Sequence, residues 1–329
     1  MQELINIVKN FKNKKILVVG DLMLDEYILG SVERISPEAP IPILDVKEIK
    51  YIPGGAANNA NNIKSLGGEV ILTGIIGAED KGKLLKEILE KRGINTQGVF
   101  VDQTRKTTVK TRIVARDQQM VRVDSEDRNP IAPETENKIL EFINGQIKGV
   151  NAVIISDYAK GVITPSLSRN IIELAKASNV LSLVDPKGKD YLKYKNCDII
   201  TPNQKELGEA LNLEINNESQ FSQAGRMLLS HVFCDNVIVK RGGKGIFLFG
   251  KEGNSFSFPA VNKLPKDVSG AGDTAVAAFA LALASGADFK QTIIIASYAC
   301  GVAVGKVGTD VVLPEELVES LKNNFTDES

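Results

Sequence analysis

Apolar residues along the chain fall into short continuous runs that alternate with stretches of helical periodicity. Residues 15–19 are such a run, rich in Ile, Leu and Val, and end in Gly20 and Asp21. That is the pattern of a strand buried on both faces. Residues 70–76 repeat it before a predicted helix over about 83–91, and residues 152–156 repeat it before a helix over about 166–178. Residues 180–185 and 199–201 predict further strands, the second leading into a helix from about Gln204. Residues 236–240 and 245–249 predict two more strands, and residues 272–285 and 293–304 predict helices, the first built almost wholly of small and apolar side chains. Strands alternating with helices in this way imply an α/β fold, a mainly parallel sheet covered on both faces.

Two segments break the rhythm. Residues 26–52 carry Pro37, Pro40 and Pro42 with apolar residues at alternate positions, and residues 99–124 alternate strongly between polar and apolar. Both predict antiparallel strands with one polar face. A small sheet inserted into an α/β body is a natural lid or dimer surface. With no internal repeat and no linker, residues 1–329 are expected to form one domain with a discontinuous lid over about 26–52 and 99–124.

Charge and rare residues narrow the function. Lys and Arg number 40 and Asp and Glu 41, for a net charge of -1. That lacks the basic balance of a general nucleic-acid binder. No apolar stretch approaches the ~20 residues of a membrane span, so no membrane partner is expected. His231 is the only histidine. Ser-His-Asp and Cys-His systems need one histidine in the site, and His-rich zinc sites need several. His231 closes an apolar helical run and reads as a helix-end residue. Cys197, Cys234 and Cys300 are an odd, scattered set, the usage of reduced thiols in a cytoplasm. The amphipathic first 15 residues lack a signal-peptide core. Carboxylates and glycine-rich backbone are left as the candidate chemistry.

The sharpest motif runs from Asp267 through Val-Ser-Gly270-Ala271-Gly272 to Asp273 and Thr274, and opens the small-residue helix. Glycines let the backbone present consecutive N–H groups, and a helix N-terminus adds the positive end of its dipole. A carboxylate at the rim of such an anion site suits a base for phosphoryl transfer to a hydroxyl, although Asp273 could equally be a plain cap. Pro53-Gly54-Gly55-Ala-Ala-Asn58 opens a helix through Leu66. It allows close approach of a ligand, or simply caps that helix. Asp21 and Asp25 follow the first strand, where open α/β sheets bind ligands, and suit sugar hydroxyls. Asn203 and Glu206 share the face of a helix start and could orient Mg²⁺ or its waters, while also matching an ordinary capping box. Lys240-Arg-Gly-Gly243-Lys-Gly245 is a glycine hairpin or a phosphate-touching turn. Gly77-x4-Gly82-Lys83 resembles a P-loop, but Leu84 stands where Ser or Thr must hold the metal, and Glu79 and Asp80 would repel phosphate.

Together these motifs resemble the ribokinase (PfkB) family of carbohydrate kinases, in the family's order and over nearly the whole chain. The resemblance implies a ribokinase-like fold: a mainly parallel sheet with helices on both faces and a small antiparallel β lid. It implies ATP with Mg²⁺, and admits a monovalent cation near Asp267 and residues 301–309. It makes Asp273 the base, the amides of Gly270, Ala271 and Gly272 an anion hole, and Asn203 and Glu206 the element tied to Mg²⁺ and ATP. Lys240, Gly243, Gly245 and Lys187 would meet the nucleotide, although Lys240-Arg241 replaces the Thr or Ser often found there. Longer stretches are similar to the D-glycero-β-D-manno-heptose-7-phosphate kinases. They include residues 20–27, 34–43 and 116–124, Ser156-Asp157-Tyr-Ala-Lys160-Gly and Asp185-Pro-Lys187-Gly. That resemblance implies phosphorylation of the 1-OH of heptose 7-phosphate, feeding ADP-heptose and lipopolysaccharide core synthesis.

Asp21, Asp25, Gly54, Gly55, Asn58 and Asp157 would then meet the sugar. Lys110, Arg112 and Lys160 would meet its phosphate, because Arg is suited to bidentate phosphate contact and alternate strand residues share a face. The same cations would also serve as a solvated strand face that blocks aggregation. Many relatives carry a fused nucleotidyltransferase with a His-x-Gly-His motif. With His231 alone, this chain resembles the kinase half, and a homodimer through the lid is expected. A kinase for another sugar or nucleoside, and a non-catalytic sugar or nucleotide sensor, remain alternatives.

Overall fold

A computed structural model describes residues 1–116, 118–261, 268–306 and 311–324. The chain runs α1 (Gln2–Lys9), β1 (Lys15–Gly20), then a long hairpin of β2 (Leu22–Ile35) and β3 (Pro42–Gly55). It continues through α2 (Ala56–Ser65), β4 (Glu69–Gly77), α3 (Asp80–Lys91), β5 (Asn95–Asp102), β6 (Thr108–Ala115) and β7 (Gln118–Ser125). Next come α4 (Pro133–Gln146), β8 (Ala152–Ser156), α5 (Pro165–Ala177), β9 (Leu181–Asp185), β10 (Ile199–Ile200), α6 (Gln204–Leu211) and α7 (Glu218–Val232). The last elements are β11 (Asn236–Lys240), β12 (Ile246–Gly250), β13 (Ser255–Phe258), α8 (Ala271–Ala284), α9 (Phe289–Ala303) and α10 (Pro314–Asn324).

The large sheet has nine strands in the order β13-β12-β11-β10-β9-β8-β1-β4-β5. From β11 to β5 every pairing is parallel, and β12 and β13 close one edge antiparallel. The continuous apolar run of β1 has two-sided work. Ile16 and Val18 face a core formed with α2, α8 and α9, while Leu17 and Val19 face a second core formed with α4, α5 and α7. Helix α8 is apolar all round and buried from Thr274 to Ala282, as expected of a helix enclosed on every side. It packs on α2, α9 and the sheet at β8 and β9.

The second sheet has the order β3-β2-β6-β7. Its outer pairings are antiparallel, and the central β2–β6 pairing is parallel. The expected lid boundaries shift at both segments. Residues 99–102 lie in β5, an edge strand of the large sheet beside β4, so the small sheet takes only 108–125 from the second segment. The first segment extends beyond 26–52, to Leu22 and Gly55. Among the described residues no helix is long and apolar enough to cross a membrane.

Candidate active site

The carboxyl ends of the parallel strands converge on the start of α8, where open α/β sheets place ligands. Asp21 follows β1, Asp157 follows β8, Asp185 ends β9 and Lys240 ends β11. Gly270 precedes α8 in the left-handed conformation (φ 77°), and no side chain caps that helix. The positive end of its dipole therefore lies at a cleft of about 390 Å³ that Ala271, Gly272 and Asp273 line, with the Ala271 N–H already donating to the Val268 carbonyl at 3.4 Å. Gly270 itself stands behind that lining.

Asp273 is buried at the bottom of the cleft. Its Oδ2 accepts from Asn58 Nδ2 at 2.6 Å, and its Oδ1 accepts from the Tyr158 hydroxyl at 2.5 Å. Burial, and then the charge of Asp185, push its pKa from the usual 3.8 up to about 6, against both hydrogen bonds and the charge of Lys240. A carboxylate that ionises near neutrality is well placed as a base. Helix α2 brings Asn58 here because Asn62, one turn on, bonds both to the Asn58 carbonyl and to the hydroxyl of Thr274 on α8.

On one side of Asp273 lie the residues expected at the nucleotide. Asn203 and Glu206 form the capping box of α6: Glu206 N–H donates to Asn203 Oδ1 at 2.9 Å and Asn203 N–H to Glu206 Oε2 at 2.8 Å. The remaining Glu206 oxygen accepts from Lys187 Nζ at 2.7 Å. Lys240 Nζ donates to Asp185 Oδ1 at 2.6 Å. All five residues line the cleft, with Gly243 and Gly245. Gly245 has φ 90°, and a Cβ there would sit 2.0 Å from the carbonyl oxygen of Phe258, so this turn needs glycine.

Of the residues expected at the sugar, Asp157 lines the cleft, while Asp21, Asp25, Gly54, Gly55, Asn58, Lys110, Arg112 and Lys160 lie outside its lining. Asp25 Oδ1 accepts from Arg112 at 2.7 Å, both side chains being largely buried. Lys110 stands over the ring of Tyr158, 5.5 Å from its centre. Burial pulls the Lys110 pKa down against Asp25, and the cations Lys160, Arg112 and Arg122 pull it down further. Gly54 and Gly55 end β3 against β2. Gly54 lies beside the Asp25 carboxylate, and a Cβ on Gly55 (φ 57°) would meet the Asp21 carbonyl at 2.5 Å. Chain packing alone accounts for these two glycines.

Three expected sugar or phosphate ligands have their polar groups engaged elsewhere. The Asp21 carboxylate accepts backbone N–H groups of Tyr158 at 2.7 Å and of Lys160 and Val162 at 3.1 Å. Burial and nearby Asp157 push its pKa up to about 6 against those bonds. Asp157 is held by Lys193 and by the Tyr194 hydroxyl at 2.7 Å. Lys160 Nζ pairs with Glu126 at 2.5 Å.

The sequence alone assigns no role to Tyr158 and Asp185, although both stand in the stretches Ser156-Asp157-Tyr158 and Asp185-Pro186-Lys187 at the carboxyl ends of β8 and β9. Asp267 and residues 307–309 of the expected cation site lie outside the described residues. The P-loop-like segment is filled by its own chain: Glu79 accepts from Thr107 N–H at 2.8 Å and its carboxylate occupies the space over Gly77. His231 lies in the last turn of α7, away from the cleft.

The sequence and the fold have counterparts among known proteins. The family model described as pfkB family carbohydrate kinase matches residues 13–316. The chain belongs to that family. The kinase is 42% identical over 311 residues to the bifunctional protein HldE of Geobacter metallireducens, covering 94% of this chain and 64% of that protein. It is 43% identical over 304 residues to HldE of Helicobacter pylori, covering 92% of this chain and 65% of that one. The chain thus spans somewhat under two thirds of these relatives. Among solved structures, the ribokinase of Arabidopsis thaliana complexed with ribose and ATP aligns with a TM-score of 0.75 at 20% identity, covering 94% of this chain and 99% of that one. Phosphofructokinase-2 of Escherichia coli aligns with a TM-score of 0.77 at 20% identity, covering 94% and 98%. At that identity the likeness carries the ribokinase-like fold.

Proposed function

We propose that the kinase transfers the γ-phosphoryl group of ATP to the 1-OH of D-glycero-β-D-manno-heptose 7-phosphate, giving the 1,7-bisphosphate for ADP-heptose and lipopolysaccharide core synthesis. One observation carries the reading. Asp273, with a pKa near 6, stands beside an uncapped helix N-terminus, between a cleft for a nucleotide and a lid bearing Lys110 and Arg112. A phosphorylated sugar would give those two cations an anion to share beside the Asp25 pair. In the reaction Asp273 accepts the proton of the 1-OH as that oxygen attacks phosphorus in line, and the amides of Ala271 and Gly272 receive charge on the transferred group. Asp25 and Asn58 orient the sugar, while Asp21 acts on the loop at 158–162 and so on the shape of the pocket. Lys110 and Arg112 take the 7-phosphate, and Lys160 contributes once it leaves Glu126. Gly243, Gly245, Lys240 and Lys187 contact ATP.

Glu206 fits a metal reached through water, since both of its oxygens are already engaged. Among the described residues no group of three His, Cys, Asp or Glu could hold a metal by itself, which suits Mg²⁺ bound chiefly by ATP phosphates. There it supplies neutralisation of phosphate charge. A cytoplasmic homodimer through the lid is the assembly we favour, supported by exposed Ile35, Val46, Ile49, Met120, Val121 and Val123 on the lid strands. The test is a coupled ADP-release assay across sugar phosphates and their unphosphorylated parents. Strong preference for heptose 7-phosphate over heptose is expected, and equal turnover of the two would refute the assignment.

A further inference from the structure

Both oxygens of Asp273 are hydrogen-bonded, one to Asn58 and the other to Tyr158. The acceptor hydroxyl must bond to this same carboxylate before it can lose its proton. Asn58 lies on a helix beneath the site. Tyr158 lies on a loop built to hold it: its N–H and those of Lys160 and Val162 converge on Asp21, and Ala159 N–H donates to Asp157 at 2.6 Å. Ala159 sits at φ 55°, a left-handed conformation that a non-glycine residue keeps only where its surroundings enforce it. Four bonds and one strained residue thus aim a single phenol at the carboxylate. The same phenol ring lies beneath Lys110 of the lid. Tyr158 therefore meets both Asp273 and a cation of the lid.

We propose that Tyr158 is a positioning residue for the phosphoryl-transfer base. Its hydroxyl holds the reactive oxygen of Asp273 in place, favours the ionised carboxylate, and yields that oxygen to the incoming sugar hydroxyl. This rests on Asp273 being the base. Asp273 faces Asn58 from α2, Tyr158 from the loop after β8, Asp185 from β9 and Lys240 from β11. Tyr158 additionally faces Asp25 from β2 and Lys110 from β6. Of these groups, Asn58 and Tyr158 donate hydrogen bonds to the carboxylate. Removing one donor to an ionised group weakens its hold on the charge by roughly tenfold, which is about one pH unit in the pKa. The lost donor favoured the ionised form, so the pKa rises.

The test is the pH profile of kcat/KM in Tyr158→Phe, which keeps the ring and its packing. The acidic limb, below which the base is protonated, should move to higher pH by about one unit, with the KM for ATP unchanged. A fluorinated tyrosine at position 158, a stronger donor of the same shape, should move the limb to lower pH. It also serves where the phenylalanine variant does not fold. An unmoved limb, or one displaced the same way by both replacements, overturns the proposal. Asp273→Asn separates the two levels. If that variant keeps wild-type turnover, the base assignment fails. If it is inactive and Tyr158→Phe leaves the limb in place, only the role of Tyr158 fails.

Discussion

Replacing Asp273 by Asn should disable the kinase and stabilise it at the same time. Burial holds the Asp273 pKa near 6 in the folded protein, against an ordinary 3.8 in an unfolded chain. The folded state therefore binds the proton more tightly, and ionisation works against folding. The penalty is absent below about pH 4, grows between the two values, and is complete above about pH 7. At 1.36 kcal/mol per pH unit the gap corresponds to about 3 kcal/mol. Asn at 273 removes that charge but cannot accept from both Asn58 and Tyr158 in their present orientation, a loss of about 1 kcal/mol. The balance is a gain of about 2 kcal/mol at pH 8, or about 3 °C in Tm for a chain of this size. At pH 4 the variant should show no gain. Thermal and urea unfolding of both proteins at pH 4, 6 and 8 read this directly. Turnover by ADP release should fall by roughly 10²–10⁴. A variant that is no more stable than wild type at pH 8, or whose gain is the same at pH 4, would refute the placement of Asp273 as a desolvated carboxylate.

Two further outcomes follow from the same geometry. Arg112→Met should raise the KM for the sugar phosphate by about 10–100-fold and leave the KM for ATP alone; equal effects on both would place Arg112 outside the sugar-phosphate site. Gly245→Ala forces a Cβ against the Phe258 carbonyl at φ 90° and should lower stability by about 2–4 kcal/mol, with weaker ATP binding by calorimetry.

Much of the fold was legible because its central strands are buried on both faces. β1, β4, β8, β9, β10 and β11 each read as short apolar runs, and α8 announced itself by its unbroken small-residue composition. The errors lie where burial is one-sided. β5 is the last strand of the large sheet, its burial alternates, and its pattern looks like that of the lid strands that follow. β13, four residues of alternating Ser and Phe, is the opposite edge and gave too short a signal. In the site, the glycine loop and Asp273 could be read from spacing. The direction of a carboxylate could not. Asp21 and Asp25 follow one strand and are both acidic, yet Asp21 turns to three loop amides while Asp25 meets Arg112. Which partner wins depends on loops contributed from far along the chain. Tyr158 carries no residue-type signal, since its role depends on meeting a helix 115 residues away.

The reach between Asn58 and Asp273, 215 residues apart, bears on how the protein is made. Until α8 has been synthesised, the sheet face carrying Ile16, Val18, Ile154, Leu183 and Ile238 lacks the cover of α8 and α9, and Asn58 and Asn62 lack their partners Asp273 and Thr274. A ribosome-bound chain that ends before Gly270 thus leaves an apolar groove open and lacks Asp273, the base we propose. Docking of α8 closes the groove and completes the site in one event. The interval before that docking is when the nascent chain most needs shelter from aggregation.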